Sequence, residues 1–281
     1  MVLADYTFQL DSGVVLNTDT LPFVDVQRVV GLDSAPYRET IRDHEGTDGG
    51  YIDAEFETGR EVIVEGIAYC DVDNAETFFD SLKQNYAPVT TPIPFVFKAP
   101  GVDERVVFVK TRGVKYDWDT ARRIGATPIQ ALMYAEDPRI YGNDLINQVI
   151  PSGGSATTGF GFNLGFNLSF GASVPPDGQF VVNAGNRPTP AILTIAGPVV
   201  NPRVVNDTDS ITLSFVIELT ASDTLTVDLA NRTVLLNGIV NRRDTLQEPS
   251  WFLFNPGSTF IRFGGGTGTG TLTVSYRNAW R

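Results

Sequence analysis

Residues 180–202 read FVVNAGNRPTPAILTIAGPVVNP, from Phe180 to Pro202. Two short apolar runs are separated by Asn183-Ala184-Gly185-Asn186 and Pro188-Thr189-Pro190, and Gly197-Pro198 and Asn201-Pro202 close the segment. Gly, Asn and Pro at this density make turns, because they supply positive φ or a φ fixed near about −65°. Between the turns Ala191, Leu193 and Ile195 share one face and Ile192 and Thr194 the other, which is the period of a short strand.

Working outward, the same period recurs through the C-terminal half. In Gly159–Gly171 (GFGFNLGFNLSFG) every large apolar residue from Phe160 to Phe170 has an even number, predicting one long strand bent or split by its glycines. Ile211, Leu213, Phe215, Ile217 and Leu219 alternate inward along a second, followed by Leu225, Val227 and Leu229. Arg232 to Leu236 leads into Asn237-Gly238, the signal for a two-residue hairpin turn. Trp251–Phe254, Thr259–Phe263 and Thr271–Tyr276 supply three more strands. Gly264–Gly270 (GGGTGTG) lacks the G-x-G-x-x-G spacing of a phosphate loop and precedes a strand, so it is read as a hairpin loop. Short strands between Gly/Pro turns predict a sandwich.

The N-terminal half is also β-rich. Tyr6–Leu10, Val14–Leu16, Phe23–Leu32, Tyr51–Phe56, Arg60–Tyr69, Phe95–Phe97, Arg105–Lys110 and Gln130–Ala135 read as strands, and the polar stretch Asp33–Gly50 reads as an extended loop. One helix is expected over Asn74–Tyr86: Ala75, Phe78, Phe79, Leu82 and Tyr86 recur at helical spacing. Asp73 and Glu76 stand where a capping box belongs, and Pro88 ends the helix.

A chain of 281 residues predicts two domains. Residues 1–141 hold 24 acidic and 13 basic residues, whereas residues 142–281 hold 9 and 8. The shift places a boundary near Tyr141, with Pro151-Ser152-Gly153-Gly154 as an exposed linker. A chain of net charge −12 is a poor binder of nucleic-acid backbones. No apolar run reaches about 18 residues, so no membrane insertion is expected. Met1–Asp5 lacks the regions of a secretory signal, which predicts synthesis in the cytoplasm of the cell that makes it.

The pattern Asn-x-Gly-Asn, Pro-x-Pro, strand, Gly-Pro, Asn-Pro in residues 183–202 resembles the entry to the C-terminal domain of siphovirus distal tail proteins. Tyr134–Tyr141 (YAEDPRIY), the loop ending in Asp48-Gly49-Gly50 before Gly59-Arg60, Asp228–Gly238 (DLANRTVLLNG) and Asn255-Pro256-Gly257 fall in that family's order. The resemblance implies a mainly β chain: an N-terminal sandwich or split-barrel-like domain with one helix (1–141), and a C-terminal galectin-like jelly-roll β-sandwich (142–281). It further implies a virion protein at the distal end of the tail, forming a hexameric ring between the tail tube and the tip hub; the acidic excess of residues 1–141 then predicts an open channel lined mainly by carboxylates of that half, through which DNA passes. Tape measure and receptor-binding proteins are further implied neighbours. The long loop would be a belt on the next subunit. Asp43, Asp48, Arg60, Asp137, Arg139 and Tyr141 are the subunit-interface candidates.

Two other classes compete: a carbohydrate-binding module, since galectin-like sandwiches often bind sugars, and a tail-associated glycosidase using paired carboxylates. His44 offers a general base, but no Ser-His-Asp arrangement accompanies it, and it is read as an exposed loop residue. Asp43, Glu45 and Asp48 do not match the ligand spacing of an EF-hand loop. Cys70 precedes the helix, whose N-terminus could lower its thiol pKa, although packing is the favoured role. Trp251 is assigned to the core, and Trp280 is the candidate for an exposed sugar-stacking ring. No catalytic residue, cofactor or metal is expected.

Overall fold

The computed structural model describes residues 3–11, 13–152, 178–247, 250–265 and 267–281. The long alternating strand expected within 159–171, and Gly153-Gly154 of the expected linker, lie outside the described residues. The protein is mainly β and divides into two units, Met1–Asn143 with Trp280–Arg281, and Asp144–Ala279. The chain thus passes between the units twice.

The first unit contains β1 (Phe8–Leu10), β2 (Val15–Leu16), β3 (Phe23–Val30), β4 (Tyr37–Asp43), β5 (Gly50–Glu57), β6 (Arg60–Tyr69), α1 (Ala75–Asn85), β7 (Ile93–Phe97), β8 (Arg105–Tyr116), α2 (Trp118–Ile124), β9 (Ala126–Ala135) and β10 (Ile140–Gly142). Its sheet runs β2-β1-β7-β8-β9-β6-β3, and β10 lies against β8. Alternation decides what is buried: Val62, Val64 and Ala68 of β6, Val107 and Val109 of β8, and Ile129, Ala131 and Met133 of β9 turn into one core. Phe78, Phe79 and Leu82 of α1 cover it, as their helical spacing predicts. The start of α1 differs from expectation. A 3-10 turn, Val72–Asn74, leads into it, and Asn74 at the cap makes no side-chain capping bond. The short α2 was not foreseen; Asp117 opens it by accepting N–H bonds from Asp119 and Thr120 at 3.1 and 3.3 Å.

The second unit contains β11 (Ile146–Pro151), β12 (Gly178–Asn183), β13 (Ala191–Ala196), β14 (Val199–Val200), β15 (Arg203–Asn206), β16 (Ile211–Ser214), β17 (Glu218–Leu219), β18 (Thr224–Asp228), β19 (Thr233–Leu236), β20 (Val240–Asn241), β21 (Gly257–Gly264), β22 (Thr267–Gly268) and β23 (Thr271–Tyr276); β24 (Ala279–Trp280) ends it and re-enters the first unit. One sheet runs β11-β23-β13-β18-β19-β20, a second β12-β21-β15-β16, and a short third β17-β14-β22. Leu193, Val227 and Val274 of the first sheet share a core with Val181, Val204, Ile261 and Phe263 of the second. That is a sandwich.

Several sequence expectations are corrected here. Pro151 pairs with Thr271 and Ser152 donates its N–H to Gly270 O at 2.9 Å, so these two residues belong to sheet structure and not to an exposed linker. The stretch 211–219 keeps its inward alternation but is not one strand: β16 pairs with β15 while β17 pairs with β14. Trp251–Phe254 forms only an isolated bridge, Phe254 to Thr189. The Gly-rich stretch is not a hairpin loop: Gly264 ends β21 of the four-stranded sheet, Thr267–Gly268 form β22 of the short third sheet, and Thr271 begins β23 of the six-stranded sheet. Its Gly268 has φ of +119°, and a Cβ there would lie 2.3 Å from Pro198 O. Asn237 and Gly238 do take positive φ, 51° and 71°, but pairing resumes only at Val240, so the loop is one residue longer than read.

Candidate subunit-contact arm

The stretch read as a loop over 33–50 is in fact half of a hairpin. Tyr37 pairs with Glu57 and Asp43 with Gly50, with a register shift between Glu39 and Ile41. The polar composition hid the strand because every residue of β4 is exposed, so it carries no inside–outside contrast for a period to reveal. The two strands form a sheet of their own, separate from the main sheet of the unit. Tyr37 (49 %), Ile41 (61 %), Tyr51 (48 %) and Phe56 (58 %) leave large apolar surface open to solvent. Sequence reading missed these four.

The register sorts the arm into two faces. Arg38 stands opposite Phe56 and Arg42 opposite Tyr51. The Arg38 guanidinium lies 5.8 Å from the centroid of the Phe56 ring. The other face carries Tyr37, Glu39, Ile41, Asp43 and Glu55, with Glu39 directly opposite Glu55. At the tip His44 donates its backbone N–H to Gly49 O at 2.9 Å, and its ring meets the Tyr51 ring edge-on at 5.6 Å. Asp43 and Asp48 are at this exposed end.

The other sequence candidates gather at the arm's root. Arg60 is about 1 % exposed, so it supports the root from inside and presents no surface. Its Nη1 donates to Gly31 O at 3.1 Å and Asp33 O at 2.9 Å, and its Nη2 donates to Pro138 O. Burial lowers its pKa against the opposing pull of Asp33 and Asp137. Asp137 accepts the Arg139 N–H at 3.0 Å, its Nη1 at 3.2 Å and the Tyr141 hydroxyl at 2.6 Å. Burial works against charge on Arg139, but Asp137 and Tyr141 outweigh it and its pKa rises. Burial, with Asp137 beside it, also raises that of Tyr141. On the other side, Pro36 O accepts the Thr58 N–H at 2.8 Å and its hydroxyl at 3.2 Å. An exposed lever thus rises from a root tied at several points.

The residues weighed for chemistry lie apart. The Cys70 thiol is buried and its pKa is raised by burial and by Asp71, opposite to activation by a helix N-terminus. Among the described residues no three His, Cys, Asp or Glu side chains group as metal ligands. Trp280 is not an open ring: it packs against the first unit's core under the Arg105 guanidinium, 4.6 Å from its centroid. The sugar-stacking reading loses its residue. Trp251 packs at the margin of the second core.

Residues 184–280 match the family described as siphovirus-type tail component, C-terminal domain. No curated protein matches the sequence. Among solved structures, the Dit protein of phage SPP1, described as a paradigm of the hub adsorption apparatus in phages infecting Gram-positive bacteria, is 16 % identical with a TM-score of 0.66, over 97 % of this chain and 98 % of that one. A chain of the phage P2 baseplate in its activated conformation with calcium is 8 % identical with a TM-score of 0.54, over 96 % and 98 %. A chain of the p2 baseplate with strontium gives 8 % and 0.53. In the sequence of its second unit and in the fold of the whole, the chain is similar to siphovirus distal tail proteins.

Proposed function

We propose that the chain is a structural component of the distal end of a siphovirus tail, assembling with copies of itself, six by the resemblance, into a ring between the tail tube and the tip hub. The observation that carries this reading is the likeness of the whole chain, both units in order, to a phage hub protein. The arm fits it: a two-stranded ribbon with four large apolar side chains in water is marginal alone and gains from a neighbour. The first unit would build the ring, the arm would brace each subunit on the next, and the second unit would face outward. Tape measure and receptor-binding proteins would be neighbours. The acidic excess of residues 1–141 suits a channel that lets DNA slide, since a basic lumen would hold phosphates by releasing counterions. The role is architectural, without catalysis.

Native mass spectrometry and electron microscopy of the purified chain are expected to give a closed ring with an open channel. A basic or closed lumen would overturn the DNA-passage part. Release of reducing ends from host cell-wall glycans, abolished by one Asp or Glu substitution, would replace the reading with a glycosidase.

A further inference from the structure

The first unit has a groove of about 470 Å3 beside β1, β3 and the end of β7. Half-buried Phe8, Val26, Val29 and Phe97 line it, and among the described residues its charged lining is Arg28 and Lys98, with no carboxylate. In a half of the chain with 24 acidic and 13 basic residues, a lining whose charged side chains are both cations stands out. Lys98 is engaged, donating to Leu3 O at 3.1 Å with Asp5 at 3.8 Å, while Arg28 is exposed. Strand β3 ends the sheet. Asn17 caps the first half of its outer edge, donating its N–H to Val24 O at 2.7 Å and accepting that of Val26 at 3.3 Å. Beyond the bulge at Gln27 that edge continues along the groove.

The arm offers the complement. On its acidic face Glu39 lies directly across from Glu55, both exposed. Like charges opposite one another on a ribbon repel, and a cation brought between them turns that cost into attraction. Tyr37 and Ile41 flank the pair on the same face and supply apolar side chains. Among the described residues none of the arm lines the groove, so the arm of the same chain leaves it open. Resting on the reading of self-assembly above, we propose that the groove receives the acidic face of the arm of a second copy, with Arg28 seated against the Glu39–Glu55 pair. Arm and groove are different surfaces, so each copy has one of each to offer. Such a head-to-tail contact closes into a ring when its rotation allows.

The test uses the full chain, with assembly followed by native mass and sedimentation, and with circular dichroism checking that each variant folds. Arg28→Glu is expected to weaken association roughly tenfold or more, as like charges then meet. Glu39→Lys with Glu55→Lys should do the same. Combining all three substitutions should restore assembly to within a few-fold of the unaltered chain. A triple variant no better than its parents, or Arg28→Glu assembling normally while replacement of residues 39–55 by Gly-Gly abolishes assembly, would refute the groove and leave the arm's role standing. Assembly that survives loss of the arm, or an unaltered chain that stays monomeric at the highest attainable concentration, would refute both.

Discussion

Each unit has a buried polar side chain at a junction of segments, and the two are solved with different chemistry. Arg60 in the first and Asn183 in the second are each about 1 % exposed. Arg60 can only donate, and it ties the carbonyls of Gly31, Asp33 and Pro138 while Asp33 and Asp137 offset the burial of its charge. Asn183 donates to Arg187 O at 2.7 Å and Phe254 O at 3.1 Å, and accepts from Gly185 and Ala279 N–H groups at 3.1 and 3.3 Å. The acidic half of the chain can sustain a buried cation because carboxylates stand close. The nearly neutral half uses an amide that satisfies donors and acceptors together with no charge to desolvate. The first arrangement is therefore open to changes of charge, and the second only to changes of shape and hydrogen bonding.

Four substitutions test that contrast. Arg60→Leu removes the donors to three carbonyls and should cost the first unit about 3–5 kcal/mol, the range for breaking a buried charged network. Calorimetry should show its transition falling while that of the second unit stays; two transitions falling together would mean the units unfold as one. Asn183→Ala removes the side-chain partner of two carbonyls and two N–H groups, of which Phe254 O keeps the Thr189 N–H at 2.9 Å, and should cost the second unit about 2–4 kcal/mol. Asn183→Asp, which keeps the acceptors and places a carboxylate in the core, should be no milder. Trp280→Ala should cost about 2 kcal/mol through lost apolar burial and its contact with Arg105, and the loss should fall on the first unit, despite the residue's place at the far end of the sequence.

The smallest effect concerns pH. Burial raises the Tyr86 pKa in the folded first unit. Below about pH 10 both states hold the proton and stability is intact; as pH rises above the unfolded value, the unfolded chain releases it first and stability falls by about 1.4 kcal/mol per pH unit. Tyr86→Phe should flatten this part of the alkaline loss in urea titrations between pH 8 and 11. An unchanged slope would assign the loss to other groups.

What was legible in the sequence was whatever alternated against a core. Leu193 and Ile195, Val62 and Val64, and the Phe78–Leu82 face all carried their burial in their spacing. The arm did not, because a ribbon exposed on both faces has no apolar stripe. Nor did the roles of Arg60 and Trp280. A charged residue opening a strand and a tryptophan beside a final arginine read as surface until their partners, far off in sequence, are known. The broken strand over 211–219 shows a subtler limit: alternation reports which side chains turn inward, not which sheet receives the backbone. At the candidate site, the YAEDPRIY motif marked residues that do come together, but as a partly buried root, while the exposed Tyr37, Ile41, Tyr51 and Phe56 had no motif to announce them.

The return of Trp280 and Arg281 to the first unit has a consequence for how the protein is made. The second unit is an insert in the first. On a ribosome adding roughly 5–20 residues per second, on the order of ten seconds separate the emergence of Asn143 from that of Trp280. Throughout that interval the first unit has its sheet but lacks the indole under Arg105 and the Arg281 guanidinium that reaches Glu57 at 3.6 Å. The first unit is therefore begun before the second and completed after it. A nascent chain that has emerged only as far as Ala279 would hold a complete second unit beside a first unit still waiting for these two residues, and the arm rooted near Glu57 would still lack one of its ties.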